Sequence, residues 1–487
     1  MPPNEQRIVS DGDGRQSQAG CRWTQIHHLV LIDARSKPAQ PLVLFVSRKN
    51  GILKLPVVRL ENESFFYSTE RLVREVESRL GVRIAFLRCL SSINSTPYGT
   101  CENVVVGELL TETCLGREAL TAANLNQMLA RLPPNSPSGY TLKLVQKWLA
   151  GDSERRVPWS RLGWFSKTSV WLADRLRSLG LGEVAAIKQI RAWERSCVLS
   201  AETVSGRIFL KCVPEMFRHE PALTQWLCKH EPESAPTVLD WGCLPVVGHY
   251  LLMRDYGGQQ LATIRDIKQW EHAIEDFALL QRRLDTRADS LGALGVPLRS
   301  ICDLSPRAER MLADRSALQA CRDGLTDAEV SELDKLLPTL RRAASAILSG
   351  SLAPSLDHGD LWSEQIIVRP SPESTAALFT DWSDCAISHP FMGLAFFCDD
   401  AAEVLLHEPA AYDRLRDCYL ENWSDTMPRA ELRKQFASAE LLGPLQNALL
   451  YYEHILPSME MAWEMEHMFM FHLRLVLKVA KRSASAA

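Results

Sequence analysis

The 487-residue sequence has 13 cysteines but no C-x-x-C pair, which excludes a zinc ribbon or a thioredoxin-type redox site. An odd number of cysteines, scattered singly from Cys21 to Cys418, would leave a thiol unpaired in an oxidising compartment, so a reducing cytoplasm is expected. No apolar run approaches the ~18 residues of a membrane-spanning helix. The opening stretch MPPNEQRIVSDGDGRQSQAG has no apolar core of a signal peptide, and a soluble cytoplasmic protein is expected. A dominant charge is also missing. Lys+Arg number 55 against 59 Asp+Glu, a net charge of −4. No global basic field draws the chain to nucleic acid or anionic lipid, and neither is expected as a partner. No internal repeat is visible, and nothing in the sequence fixes an oligomeric state.

What is present is ordinary globular composition, 46% hydrophobic and 23% charged, which excludes wholesale disorder. At about 150 residues per domain the length suggests roughly three domains. Residues 1–20 are polar and read as a disordered tail. HHLVLIDAR and PLVLFVSR are short β-branched runs that read as a hairpin. In STERLVREVESRLG, Ser68 or Thr69 can cap a helix whose face is Leu72, Val73, Val76 and Leu80, with Gly81 at its stop. VRIAFLRCL and ENVVVGELL return as strands. A turn-rich stretch, a helix in TLKLVQKWLAG and the punctuated GDSERRVPWSRLG place a domain boundary near Asp152. Beyond it come a helix (TSVWLADRLRSLG), a strand–turn–strand in SCVLSAETVSGRIFLKCV, a helix in PALTQWLCKH and the strand HYLLMRDYGG. From about Leu261 the pattern is helical, broken by one loop–strand–turn–strand block, SLDHGDLWSEQIIVRPSPESTAALFTDWSD.

That block carries the chemistry. His358-Gly359-Asp360 is followed by Gln365, a hairpin, and Leu378-Phe379-Thr380-Asp381-Trp382. Transfer of a phosphoryl group to a hydroxyl needs a carboxylate to orient the hydroxyl and take its proton. It also needs oxygen ligands to hold a divalent cation on the phosphates. Asp360 suits the first role, and Asp381, returned beside it by the hairpin, suits the second.

The block resembles the signature of the aminoglycoside phosphotransferase family of small-molecule kinases, H-G-D-x-x-x-x-N, a hairpin, then [IVL]-D-[WF]; Ser388-His389-Pro390-Phe391 is similar to the element that follows. The resemblance implies an α+β, bilobal protein-kinase-like fold, with a small β-rich lobe over 158–258 and a large helical lobe over 259–487. It implies transfer of the γ-phosphoryl of ATP or GTP, with Mg²⁺ or Mn²⁺, to a hydroxyl of a small metabolite or antibiotic. Asp360 would be the base, Gln365 and Asp381 the metal ligands, and His358 part of the catalytic loop. Lys211, at the end of a strand, would clamp phosphate, and Glu220 would pair with it. Ser196 would stand at the phosphate-loop turn, where no G-x-G-x-x-G occurs. Backbone groups of Met253 and Arg254 would meet the adenine edge before Gly257-Gly258. Two positions depart from the family pattern. Gln365 replaces the ligand Asn, with Glu364 beside it as another candidate ligand. Gly393 stands where many members carry an Asp that braces the catalytic loop. The alternative these departures leave open is a weak or inactive pseudokinase that binds a nucleotide or partner.

Over residues 21–152, Leu53-Lys54-Leu55-Pro56, Arg74-Glu75-Val76 and Leu80-Gly81-Val82 resemble parts of the Nudix hydrolase box. The box's metal-binding glutamates fall on Ser78 and Arg79, and its paired glycines on Val57 and Val58. An Arg at a ligand position repels a cation. Either a Nudix-like α/β domain has lost its hydrolase site, or the domain is an unrelated α/β unit. Near the C-terminus a Met- and aromatic-rich stripe reads as helical core. Glu460, Glu464 and Glu466 read as a solvated face, and Asp399-Asp400 has no spacing that demands a metal.

Overall fold

A computed structural model describes residues 23–33, 41–47, 53–63, 68–95, 99–110, 120–133, 136–151, 153–321, 323–370 and 375–486. The expected disordered tail, 1–20, lies outside the described residues. The chain divides into two compact units, and it passes from the first to the second at Pro214, at Leu252 and around the short segment Met459–Met461.

The first unit holds β1 (Trp23–Asp33), β2 (Leu42–Ser47), β3 (Leu53–Lys54), β4 (Val57–Glu63), β5 (Ile84–Ser95), β6 (Thr100–Leu109) and β7 (Leu120–Asn124). They form one sheet of order β3-β2-β1-β6-β5, with β4 paired to β1 and β7 to β2. The expected hairpin is the antiparallel pair β1–β2, with Ile32 opposite Val43; β1 also runs parallel to β6. Alternation puts Val30, Ile32, Val43, Phe45 and Val106 into a core closed by Leu142, Val145 and Trp148 of the helix Pro137–Ala150. The helix Thr69–Leu80 starts and stops as its sequence predicts. Ser68 Oγ accepts from the Arg71 N–H at 3.3 Å, and Gly81 sits at φ 67.

After the helix Trp164–Ser178 come β8 (Val184–Ala192), β9 (Cys197–Thr203), β10 (Gly206–Val213), β11 (Val238–Leu244) and β12 (Gly248–Arg254), in a sheet of order β11-β12-β10-β9-β8. The predicted β9–β10 hairpin and β12 are present. The two strands that pattern reading missed, β8 and β11, are the edges. Each is exposed or half-buried along most of its length, so neither carries the apolar alternation that marks a strand.

The expected segment 21–152 shares the first unit with residues 158–214 and Cys243–Leu252, while Glu215–Gly242 and 253–258 of the expected segment 158–258 fall in the second. Phe86 of β5 and Gln189 of β8 exchange two hydrogen bonds, N–H to Oε1 at 2.8 Å and Nε2–H to the carbonyl at 2.9 Å. Thr69 Oγ1 accepts from the Ala192 N–H at 3.1 Å. Arg88, 2% exposed, forms ion pairs with Glu194, 1% exposed, and with Glu460 at 2.8 Å. Arg156 reaches the same Glu460 at 2.8 Å. Glu460 therefore does not lie on a solvated face; two arginines that flank the predicted boundary draw it inside.

The second unit is mainly helical, with His219–His230, Ile267–Leu284, Asp327–Leu348, Leu394–Val404, Ala411–Glu421, Arg429–Leu450 and Glu466–Ala486 as its larger helices. Phe469, Met470, Leu473 and Val476 of the last are buried, as the stripe predicted. Set among the helices are β13 (Gln259–Gln260), β14 (Ser355–Asp357), β15 (Ile366–Pro370), β16 (Thr375–Phe379) and β17 (Ala386–Ser388). β13-β15-β16 form one small sheet and β14-β17 another. The architecture is thus α+β, a sheet-bearing unit and a helical unit. Among the described residues no helix is long and apolar enough to cross a membrane.

Candidate active site

The predicted hairpin β15–β16 is antiparallel, with Ile366 opposite Phe379 and Pro370 opposite Thr375. That register returns the chain to its starting point. The Gln365 carbonyl accepts from the Thr380 N–H at 2.9 Å and from the Thr380 hydroxyl at 3.0 Å. His358, fully buried, has Nε2 at 2.9 Å from the Thr380 carbonyl. A carbonyl only accepts, so the ring carries its proton on Nε2. The ring also packs on Trp382, with centroids 4.6 Å apart. Residues 358 and 365 are thereby pinned to Thr380, the neighbour of Asp381.

Asp381 follows with φ 62 and ψ 64, the only non-glycine residue at positive φ among the described residues. A side chain in that region costs on the order of 1–3 kcal/mol, and such strain is typically held where a side chain must point in one direction. The half-buried Asp381 carboxylate accepts from Ser383 Oγ at 2.5 Å, and the same hydroxyl lies 3.2 Å from Glu220 Oε2. Ser383 has one proton to give and two carboxylates within reach, with the shorter contact to Asp381. His219 completes the corner, with Nε2 at 3.1 Å from the Ser383 carbonyl. Burial, helped by the Arg299 charge, pushes the His219 imidazole down to about 4, so it is neutral at pH 7.

The loop carrying Asp360 is fixed from several sides. Gly359 has φ +76, and a Cβ there would fall 2.1 Å from the Asp384 carbonyl oxygen. The Gly359 carbonyl accepts from Asn447 Nδ2 at 2.9 Å. The Asp360 carbonyl accepts from the Trp362 N–H at 3.0 Å, and the Ser363 N–H donates to Asp400 Oδ2 at 2.7 Å. Asp400 is therefore a loop clamp. Asp360 itself is half-buried, whereas Glu364 is exposed and its carbonyl accepts from Gln260 Nε2 at 3.1 Å.

Oxygen donors of this type, the Asp381 carboxylate and the Gln365 and Glu220 side chains, fit a hard divalent cation. Mg²⁺ is commonly held by one or two carboxylates, with the rest of its shell supplied by water and phosphate. Among the described residues no group of three or more His, Cys, Asp or Glu is arranged to hold a metal by itself.

In the first unit, Lys211 lies on β10 opposite Val198 of β9 and is only 8% exposed, so its strand position is not that of a solvated charge. Ser196, at the β8–β9 turn, is buried, and its Oγ accepts from Trp193 Nε1 at 2.9 Å. The turn is held further by Trp159 Nε1, which donates to the Trp193 carbonyl at 2.7 Å. Met253 and Arg254 end β12, at the passage between units. The Arg254 N–H donates to the Thr237 carbonyl at 3.0 Å, so a ligand edge there would use other backbone groups. On the helix Thr69–Leu80, Arg79 pairs with Glu75 at 2.5 Å, and Val57 and Val58 lie in β4.

Sequence reading missed Ser383, Asp384, Arg299, Asn447 and Asp400. Only Ser383 and Asp384 adjoin a motif; the others come from distant helices and loops.

No protein-family model and no curated protein matches the chain. Among solved structures it is similar to the GDP complex of wild-type aminoglycoside 2'-phosphotransferase-IIIa, at 14% identity, covering 65% of this chain and 99% of that one with a TM-score of 0.45. It is also similar to a macrolide 2'-phosphotransferase from Brachybacterium faecium, at 16% identity, 62% and 98% coverage and a TM-score of 0.41. The third is an ethanolamine kinase from Plasmodium vivax, at 12% identity, 73% and 98% coverage and a TM-score of 0.44. At these identities and scores the likenesses assign neither a family nor an activity.

Proposed function

We propose that the protein is a small-molecule phosphotransferase of the aminoglycoside-phosphotransferase type, moving the γ-phosphoryl of ATP or GTP to an acceptor hydroxyl. The observation that carries this reading is the convergence of His358 and Gln365 on Thr380, the neighbour of Asp381, with Asp381 kept in a strained conformation beside Ser383 and Glu220. Asp360 receives the acceptor's proton and orients its oxygen for in-line attack. His358 holds the loop backbone, and Lys211 binds donor phosphate. Asp381 and Gln365 would hold Mg²⁺ or Mn²⁺, which would supply charge neutralisation on the phosphates. Ser383 keeps the Asp381 carboxylate aimed, with Glu220 also within reach. The N-terminal α/β region is read as a Nudix-like module without a hydrolase site, since Arg79 occupies a ligand position and is paired with Glu75.

The test is nucleotide-dependent phosphorylation of a panel of amino alcohols, sugars and antibiotics, with Mg²⁺ and Mn²⁺ compared. Asp360→Asn is expected to lower kcat by about 10²–10⁴-fold with nucleotide affinity kept. Gln365→Asn, which restores the shorter amide, is expected to hold or raise kcat. An Asp360→Asn enzyme as fast as wild type would remove the base. Absence of transfer to every acceptor, in wild type and Gln365→Asn alike, would favour the pseudokinase.

A further inference from the structure

Asp357 ends β14, directly before His358, and its side chain is 1% exposed. A carboxylate so buried needs partners to remain charged. Burial pushes its pKa up to about 6, against the opposing pull of the Arg299 guanidinium and of the nearby backbone N–H groups of Gly359, Gly393 and His358. Gln446 Nε2 approaches Oδ2 at 3.4 Å, while Gln446 Oε1 accepts from Ser388 of β17. The carboxylate thus looks onto two backbone segments at once, the loop that leads to Asp360 and the turn at Gly393 that opens the helix Leu394–Val404.

Gly393 itself has φ −85, which any residue adopts, so its backbone does not call for glycine. Space does. A Cβ on residue 393 would sit 2.8 Å from Asp357 Oδ1, with the Leu361 Cβ next at 3.9 Å. The volume that a side chain at 393 would use is already filled by the Asp357 carboxylate. One acid and one vacancy face each other across the same point.

We propose that Asp357 is the positioning carboxylate of the site, reaching from β14 into the space left by Gly393 to fix the 358–360 backbone and so the direction of Asp360. It touches no reacting atom and acts only through the loop. The effect on turnover rests on the proposed role of Asp360; the effect on the loop does not. If the description is right, the acid can be moved to the other side of the gap. Asp357→Gly combined with Gly393→Asp places a carboxylate in the same space from the opposite backbone.

Two readouts on the full chain test this: hydrogen–deuterium exchange of the amides of 358–365, and steady-state kinetics with any acceptor that the panel above identifies. Asp357→Ala is expected to raise exchange in the loop and to lower kcat by roughly 10²-fold, the scale of a misplaced catalytic group. KM for nucleotide is expected to change by less than about twofold, since uniform binding is untouched. Gly393→Asp alone crowds two carboxylates and is expected to be impaired as well. The double variant is expected to recover loop protection and most of kcat, an interaction that independent sites do not show. Where Asp357→Ala does not fold, Asp357→Asn and the double variant supply the comparison. A double variant no better than its worse parent, or a loop whose exchange is unmoved by loss of Asp357, overturns the proposal. If no form of the protein transfers phosphate, loop protection and its rescue still decide the role of Asp357, and the failure falls on the phosphotransferase reading alone.

Discussion

Gly359→Ala isolates what holds the catalytic loop in shape, and its cost can be worked from two distances. Residue 359 has φ +76, where an L residue costs roughly 1–2 kcal/mol. Its added Cβ also lands 2.1 Å from the Asp384 carbonyl oxygen and 2.7 Å from the carbonyl carbon. Both are backbone atoms within a buried turn and cannot swing aside. Overpacking of that kind adds on the order of 1–3 kcal/mol, for a total of about 2–5 kcal/mol. Gly257, in the same unit, is the control. Its φ is +64, and a Cβ there meets nothing within 4 Å. Gly257→Ala is therefore expected to cost the conformational part alone, about 1–2 kcal/mol. The entropy that alanine removes from the unfolded chain is common to both and cancels in the difference. Urea denaturation followed by tryptophan fluorescence gives the two values. A gap of about 1–3 kcal/mol is expected, together with loss of phosphoryl transfer in Gly359→Ala only. Equal costs, or a neutral Gly359→Ala, would show that the loop does not press on the Asp384 backbone as described.

Arg88→Ala takes the ion-pair partner from the buried Glu194, while Glu460 keeps Arg156; breaking a buried pair in this way is expected to cost about 3–5 kcal/mol. In a double-mutant cycle with Glu194→Gln, simple additivity in urea melts would refute the coupling. Acid should destabilise the fold through its buried histidines. Burial pushes His389 down to about 3 and His27 to about 4, the latter with help from the His28 charge, and His219 behaves like them. Their neutral forms are favoured in the folded state, so the stability they contribute is present above the unfolded pKa near 6.5. It is lost as pH falls from there toward the folded values. His389→Gln is expected to flatten that decline, measured as Tm between pH 4 and pH 7, and an unchanged slope would refute its share.

The parts of the site that were legible in the sequence are those whose chemistry and geometry are both local. Asp360, Gln365 and Asp381 span a single hairpin, and period-2 strands with a fixed register return residue 380 to residue 365 without help from elsewhere. The helix Thr69–Leu80 was legible for the same reason, since its cap, its apolar face and its stop all lie within fourteen residues of 68–81. What escaped is long-range or weakly patterned. Glu220 was expected at the site as the partner of Lys211, but a first-turn acid on an ordinary helix gives no sign of its bond to Ser383, 163 positions away. β8 and β11 are edge strands with little to bury. Glu460 sat in an acidic stretch that looked solvated, because nothing in its neighbourhood announces Arg88, 372 positions away.

The departure at Gln365 looks different once its backbone is considered apart from its side chain. Two hydrogen bonds from Thr380 hold the Gln365 carbonyl, so the Cα of residue 365 is fixed relative to Asp381 whatever side chain it bears. A longer amide then moves only the terminal oxygen, and a flexible stem can absorb that. Asp381 gives the complementary argument. At φ 62 a glycine would fit without strain, and a chain with no use for a carboxylate would lie lower in energy with one. An aspartate is kept there at a cost of about 1–3 kcal/mol, with a serine hydroxyl fixing its orientation. Strain of this kind fits a group that holds a ligand, and a ligand-holding role is common to an active enzyme and to a nucleotide-binding pseudokinase. What divides those two is the residue Asp381 does not touch in sequence, Asp360. Its loop is clamped through His358, Gly359, Asn447 and Asp400, and under the proposed function that clamping fits a base that must point in one direction.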